Sequence, residues 1–112
     1  MNWKLLASMI MFLACVVTQA QTGNQLLREC ETNADGSQGF CFGYISGFAA
    51  GYSWVEATAN SCQLWQRPPD VDSDQLVRVV TKWLQDNPQR LHEHADILMM
   101  DTFIEYFSCP KE

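Results

Sequence analysis

The sequence predicts an all-α fold, a compact bundle of about four helices stapled by two disulfides. Three observations favour it: four stretches carry apolar residues at helical spacing, the loops between them are short, and the segment after a predicted leader contains four cysteines. Short connections favour helices that alternate up and down. We therefore expect one domain over residues 21–112, with a core thin enough to profit from covalent cross-links.

Residues 1–20 have the features of a secretory signal peptide. Lys4 precedes an uncharged run from Leu5 to Val17, and the short polar stretch Thr18-Gln19-Ala20 follows. The uncharged run is too short to span a bilayer comfortably. Cleavage is predicted after Ala20, which would place the domain in an oxidising compartment where disulfides persist. Lipidation at Cys15 is an alternative that its neighbours support poorly.

The charge balance of the chain is acidic. Thirteen acidic residues stand against seven basic ones, and one of the basic residues, Lys4, belongs to the predicted leader. Nucleic acid and anionic membrane both require a basic patch, so neither is an expected partner of the mature protein. A basic protein partner fits the charge, although an acidic surface also simply keeps exported proteins soluble.

The first two predicted helices flank a turn-rich segment. The first covers Gln25 to Cys30, and the polar run Asn33–Ser37 ends it. The second covers Phe40 to Glu56 and is predicted to be the buried central helix. Its glycines recur every four residues, which lets another helix approach closely. The contact could be internal or a dimer seam, and the pattern does not choose between them. The glycines are Gly43, Gly47 and Gly51.

The third helix carries a start signal after a proline-containing loop over residues 63–70. Asp72 is the expected N-cap, Gln75 would complete a capping box, and Leu76 would pack back onto Val71. Its apolar stripe comprises Leu76, Val77, Val79, Val80, Trp83 and Leu84.

The fourth helix is predicted from Pro88, which suits a first helical position, to about Ser108. One side of it carries Leu91, Ala95, Leu98, Thr102 and Tyr106, broadened by Ile97, Met100, Phe103, Ile104 and Phe107.

Helix direction predicts how the cysteines pair. Cys30 closes the first helix and Cys41 opens the second, whereas Cys62 and Cys109 follow the ends of the second and fourth helices. In an up-and-down bundle this puts each couple at one end, and a crossed pairing would have to reach along a whole helix. The expected disulfides are Cys30–Cys41 and Cys62–Cys109.

No catalytic residue, metal site or cofactor is predicted. A cysteine nucleophile requires a free thiolate, and all four cysteines are expected in disulfides. His92-Glu93-His94-Ala95-Asp96 nearly matches a zinc-protease pattern, but Asp96 stands where the second histidine belongs. The simpler interpretation is a solvated helix N-terminus whose acidic residues offset the helix dipole.

The candidate partner-binding residues are Trp65, Arg67, Asp70 and Asp74. An aromatic ring beside an arginine in a loop is typical of an interface anchor, and the carboxylates could meet basic groups of a partner. A tryptophan that covers the edge of the core is an equally good interpretation of Trp65. Trp83, on the stripe of the third helix, is expected in the core.

Several motifs resemble the Rap/Tai family of type VI secretion immunity proteins. They are Leu26-Leu27-x-x-Cys30, Cys41-x-Gly43-Tyr44-Ile45-x-Gly47, Cys62, Gln75-Leu76-x-x-Val79-Val80-x-x-Trp83-Leu84-x-x-Asn87-Pro88 and Phe107-x-Cys109. The resemblance implies a periplasmic, mainly helical protein, often a dimer, that inserts into the substrate cleft of a papain-like peptidoglycan amidase and blocks it. The alternative is a periplasmic stress or chaperone-like binding protein without a toxin partner, loosened by acid so that it exposes its aromatic second helix.

Overall fold

The described residues after position 20 form four α-helices. The structure, a computed structural model, describes residues 2–4, 21–32 and 36–111. The helices are α1 (Gly23–Glu31), α2 (Ser37–Ala59), α3 (Ser73–Asp86) and α4 (Ala95–Phe107), with a 3-10 turn at Pro88–Arg90 before α4. The described ranges form no strand, only two isolated bridges. The predicted all-α fold is confirmed, whereas the predicted leader and its cleavage after Ala20 lie outside the described residues, apart from 2–4.

Both disulfides pair as predicted. Cys30 and Cys41 are joined with their Cα atoms 5.1 Å apart, and the bond links the end of α1 to the start of α2. Cys62 and Cys109 are joined at 5.8 Å and link the segment after α2 to the segment after α4. The second bond closes the longer loop, 47 residues in sequence against 11 for the first. It therefore restricts the unfolded chain more strongly.

Side-chain caps fix the starts of two helices. Asp72 accepts a hydrogen bond from the backbone N–H of Gln75 at 2.7 Å, as the sequence predicts for the start of α3. The complete capping box lies instead at α1, where Thr22 and Gln25 satisfy each other's backbone donors. Each cap satisfies N–H groups that the helix itself leaves without a partner.

The last helix starts later than predicted. The segment from Pro88 forms a 3-10 turn, and α4 begins only at Ala95. The cause is tertiary pairing of the backbone. Gly23 and Asn24 donate to the carbonyls of Glu93 and Leu91, and the N–H of Ala95 donates to Gln21 at 2.7 Å. The backbone groups of Leu91, Glu93 and Ala95 therefore bond to the start of α1, and they are not available for the hydrogen bonds of a continuous helix.

Arg90 ties the turn before α4 to its neighbours. Its guanidinium donates to Glu93 at 2.7 Å and to Asp101 at 2.6 Å, and it lies 5.4 Å above the ring of Trp83. The hydrogen bond from Arg90 lowers the pKa of the Glu93 carboxyl, and the same carboxylates raise the pKa of Arg90. Trp83 also donates from its indole Nε1 to Glu105 at 2.9 Å, so α3 and α4 are joined by polar as well as apolar contacts.

The core lies where one face of each helix meets the others. The stripe predicted for α3 is buried at Leu76, Val80, Trp83 and Leu84 and half-buried at Val77 and Val79, and Trp83 belongs to the core as expected. In α4 the buried positions are Ala95, Leu98, Met99, Thr102 and Phe103. Tyr106 and Ile97, predicted to face inward, are about half exposed. With α4 starting at Ala95, its buried face is centred on Leu98, Met99, Thr102 and Phe103, and Ile97 and Tyr106 lie beside it.

The prediction that α2 is a buried central helix is wrong for most of its surface. Only Cys41, Ile45 and Ala49 are buried, at a spacing of four residues that defines a single inward face. The outward face holds the glycines. A Cβ built on Gly43, Gly47 or Gly51 would meet no atom of the described residues within 4 Å, so the close helix approach that the glycines permit does not occur among them. No helix in the described part of the chain is long and apolar enough to cross a membrane.

A candidate partner-binding surface

The loop between α2 and α3 is anchored to the C-terminal segment. Cys62 is bonded to Cys109, Trp65 forms an isolated antiparallel bridge with Ser108, and Gln66 donates its N–H to the carbonyl of Phe107 at 2.8 Å. On the other side of the loop, the backbone N–H of Leu64 donates to the hydroxyl of Tyr52 at 2.9 Å. The loop is therefore held to α2 and to the end of α4. We call residues 62–72 the anchored loop.

Trp65 is the buried centre of this loop. Its side chain is only 1 % exposed and lies between Tyr52 and Phe103, with both ring centroids 4.6 Å away. Of the two roles that the sequence leaves open for Trp65, its burial supports the core role. An interface anchor must present its ring to a partner, and in this conformation the ring is not presented. The neighbouring residue Leu64 is 51 % exposed, so it is Leu64 that presents an apolar side chain on this loop.

Arg67 stabilises the anchored loop from within. Its Nε donates to the carbonyl of Val71 at 2.6 Å, and its Nη2 lies 3.5 Å from the hydroxyl of Ser73. The side chain is half-buried. A guanidinium carries five N–H donors, so these bonds leave it donors with which to contact a partner. Its role in binding stays a prediction.

The two candidate carboxylates lie apart from each other. Asp70 is exposed at the end of the loop. Asp74, in the first turn of α3, lines a cavity of 460 Å³ beside the Cys30–Cys41 disulfide, together with Phe42 of α2. The structure therefore brings Trp65, Arg67 and Asp70 together on one loop and places Asp74 on another surface. A binding role for either carboxylate is not tested by this geometry.

Two surface cavities border the anchored loop. One, of 380 Å³, lies between the C-terminal half of α2 and the loop, and we call it the Glu56–Trp65 cleft. Its lining residues are Ala49, Ala50, Tyr52, Ser53, Glu56, Trp65, Gln66 and Arg67. The other, of 440 Å³, lies between the loop and the chain end and is lined by Arg67, Pro68, Pro69, Tyr106 and Pro110, among others. Arg67 borders both cavities.

Sequence reasoning did not single out the exposed apolar side chains of α2 and α4, of which Tyr106 lines the cavity between the loop and the chain end. Trp54 is 74 % exposed, Val55 is 50 % exposed and Tyr106 is 52 % exposed. Large exposed apolar side chains are informative when they neighbour one another, because such groups mark protein contact surfaces. A helical projection of α2 from Cys41 could have found Trp54 and Val55, since both fall outside the inward face. Tyr106 gave no such signal, because its spacing matched the core positions of α4.

The histidine motif does not form a helical metal pair. His92 lies in the turn before α4, whereas Asp96 lies in the first turn of that helix, so the expected four-residue helical spacing is absent. Residues 2–4, 21–32 and 36–111 contain no group of three metal-ligating side chains suited to an ion. Asp96 acts on Tyr44 instead: burial raises the pKa of that hydroxyl, and the Asp96 charge raises it further.

The described helices and the two bonds between cysteines define a class, that of small disulfide-linked helical proteins. Residues 22–109 match the family model of the Rap1a immunity proteins, and the chain belongs to that family. The suspected resemblance is thereby confirmed over nearly all of the described domain. Membership of the family implies a protein partner, the effector against which an immunity protein acts. Proteins of this family are generally not enzymes. No curated protein and no solved structure matches the chain.

Proposed function

We propose that this protein is exported to the periplasm and neutralises a peptidoglycan amidase delivered by a type VI secretion system. It would do so by inserting the anchored loop into the substrate cleft of the amidase. Blocking a cleft requires only a surface that fits and holds its shape, with no reactive group. The amidase, the secretion system and the compartment come from the family resemblance and the leader-like N-terminus, and the geometry supplies the surface.

The observation that carries the proposal is the anchoring of the loop on both sides. A disulfide, an antiparallel bridge that includes the Gln66–Phe107 hydrogen bond, and a hydrogen bond from the Leu64 N–H to the Tyr52 hydroxyl hold residues 62–66 before any partner arrives. Binding then orders few additional bonds, so less of the interaction energy is lost to conformational entropy. Exposed apolar groups at the loop edge, Leu64 above all, supply the contact area.

A pair of charge insertions tests this surface against the rest of the molecule. Leu64 and Ile97 are exposed to nearly the same extent, 51 % and 47 %, but lie on the anchored loop and on α4 respectively. We expect Leu64→Arg to weaken binding to the amidase encoded beside this gene at least tenfold, while Ile97→Arg changes it little. The measurements are calorimetric affinity, inhibition of peptidoglycan hydrolysis and survival of cells exposed to the amidase.

The results separate the leading proposal from its alternative. If the purified wild-type protein neither binds nor inhibits that amidase, the immunity role against an amidase is wrong. Capture of unfolded clients only after acidification would instead favour the stress or chaperone-like role. Recovery of the mature chain, beginning at Gln21, from the periplasmic fraction would support export with cleavage after Ala20.

A homodimer is the second part of the proposal, and the outward face of α2 is the surface that suits it. Glycine in a helix interior costs about 1 kcal/mol relative to alanine, and no helix in the described part of the chain packs against the glycines here. The face is uncharged, and helical spacing puts Phe40 and Trp54, which are 43 % and 74 % exposed, on the same side of α2 as these glycines. On an acidic protein, an uncharged face is where two copies meet with least repulsion. Sedimentation of wild type and of Gly47→Glu would show whether the protein dimerises through it.

A further inference from the structure

Two buried polar atoms of residues that line the Glu56–Trp65 cleft have no hydrogen-bond partner among the described residues. They are the indole Nε1 of Trp65 and Oε1 of Glu56. One is a donor and the other an acceptor, and both residues line the same cavity of 380 Å³. Buried polar groups in folded proteins are almost always paired, so two unpaired groups at one site call for an explanation.

Trp83, the other tryptophan of the core, has the hydrogen bond that Trp65 lacks. Trp83 is 4 % exposed, and its Nε1 donates to the carboxylate of Glu105 at 2.9 Å. Trp65 is still more buried, at 1 %, and has a glutamate, Glu56, on the same cleft wall, yet no bond joins them. A buried donor left unpaired destabilises a folded protein, because it has lost its bonds to water without replacing them. A ligand that satisfies both groups would recover that loss on binding.

We propose that the Glu56–Trp65 cleft receives a carboxamide group, the side chain of an Asn or Gln, from the partner protein. The carbonyl oxygen of the carboxamide accepts from Trp65 Nε1, and its NH₂ donates to Glu56 Oε1. Both atoms are shielded in the free protein, so the Glu56 side chain rotates as the group enters. The inference rests on the proposed function, because it names the chemistry that the effector presents to this part of the surface.

Other common groups satisfy only half of the site. A carboxylate accepts from the Trp65 indole but is repelled by Glu56. An ammonium or guanidinium group donates to Glu56 but leaves the indole unpaired, and it meets Arg67, which also lines the cleft. An aliphatic side chain leaves both atoms unpaired. A carboxamide carries a donor and an acceptor without net charge, which is the complement of what the cleft presents.

The three tryptophans of the segment 21–112 allow a direct test on the free protein. In the NMR spectrum of a ¹⁵N-labelled sample, each indole N–H gives a separate signal from a different environment. Trp54 is exposed, Trp83 is bonded to Glu105, and Trp65 has no partner among the described residues. The probe is asparagine blocked as its N-acetyl N-methylamide. A ligand of about thirteen heavy atoms is expected to bind with a dissociation constant of about 1–10 mM.

We expect the probe to move the Trp65 signal saturably and to leave Trp83 in place. Blocked aspartate and blocked lysine at the same concentration should move it at most a tenth as far. The response should disappear in Glu56→Ala while the signals of Trp54 and Trp83 stay where they are, which shows that the fold is intact. No saturable shift with blocked asparagine, or an equal shift with all three probes, would overturn the proposal.

The effector complex provides the second measurement. Trp65→Phe removes the N–H and keeps an aromatic ring, and we expect it to weaken amidase binding about tenfold, with Leu64→Arg as the reference for the loop edge. Equal binding by wild type and Trp65→Phe would refute the carboxamide site and leave the immunity role standing. Saturable binding of blocked asparagine by a protein that binds no amidase would refute the immunity role and leave the site standing.

Discussion

The indole of Trp83 and the carboxylate of Glu105 are joined by a hydrogen bond of 2.9 Å that connects α3 to α4. The corresponding indole donor of Trp65, in the same core, is unpaired. The same substitution, tryptophan to phenylalanine, can therefore be compared at the two positions. It removes the same atoms at both, but it breaks a hydrogen bond only at Trp83.

Trp83→Phe should therefore destabilise the protein more than Trp65→Phe. A hydrogen bond to a charged group contributes about 1.5–3 kcal/mol, and we expect the two unfolding free energies to differ by about 1–2 kcal/mol. Chemical denaturation of both variants measures the difference. A double-mutant cycle of Trp83→Phe with Glu105→Ala isolates the bond from the loss of ring area and from the Arg90 contact. Equal destabilisation at the two sites would contradict the assignment.

The two disulfides should differ in their contribution to stability. Loop-closure entropy gives about 4 kcal/mol for a loop of 47 residues and about 3 kcal/mol for one of 11. Replacing Cys62 and Cys109 together by alanine should therefore cost more than replacing Cys30 and Cys41. Thermal unfolding without reductant measures both, and the wild type with both disulfides formed is the reference. The reverse order would show that the unfolded chain is already compact around the anchored loop.

Two glycines should respond to alanine in opposite directions. A Cβ at Gly23 would lie 2.5 Å from Leu98 Cδ1 and 3.1 Å from the backbone of Leu91, so Gly23→Ala must push α1 away from the turn before α4. We expect a loss of about 2 kcal/mol.

Gly47→Ala is the matched control, because a Cβ there meets nothing within 4 Å. Removing the glycine penalty should stabilise the monomer by about 0.5–1 kcal/mol. In the proposed homodimer the same methyl group lies in the seam and weakens association, so sedimentation should show less dimer. A destabilised Gly47→Ala monomer would be inconsistent with an open α2 face.

Acid should weaken the contact between Arg90 and Glu93. The folded pKa of Glu93 lies below its ordinary value of 4.5 because Arg90 donates to the carboxylate. The contribution of this pair is therefore fully present above the unfolded pKa and is lost as the pH falls through the lowered folded value. We expect the stability difference between wild type and Glu93→Gln to be largest near about pH 7 and to shrink by about pH 3.

The control for this pH series is Glu31→Gln, which changes an exposed carboxylate at the end of α1. It removes one carboxylate of the same type away from Arg90, so it measures the effect of losing a glutamate charge without losing the Arg90 contact. A difference for Glu93→Gln that does not depend on pH would show that the ion pair contributes nothing to folding, as happens for many exposed pairs.

Local signals predicted most of the fold, and tertiary contacts decided the rest. The Asp72 cap, the apolar stripe of α3 and both disulfides follow from residue spacing within a helix or from the direction of short connections. The start of α4 could not be predicted, because Gln21, Gly23 and Asn24 take the backbone groups around Leu91 to Ala95. Nothing near Pro88 in the sequence records that pairing.

The candidate site was only partly predictable for the same reason. Composition located the loop, since tryptophan, arginine and two prolines lie together there. It did not show that Trp65 would turn inward between Tyr52 and Phe103, which are 13 and 38 positions away in the sequence. Nor could it show that Asp74 faces a different cavity. Those facts depend on which helices become neighbours, and residue types alone leave that open.

The backbone of the anchored loop is fixed by the bond between residues 62 and 109 and by the bridge between residues 65 and 108. Its outward side chains take no part in either contact. The positions that face outward, such as Leu64 and Asp70, can then change identity without disturbing helix packing. Under the proposed function, recognition of a new effector would arise by exchanging a few outward residues on an unchanged scaffold. A lineage exposed to changing rivals could in this way alter its defence without refolding the protein.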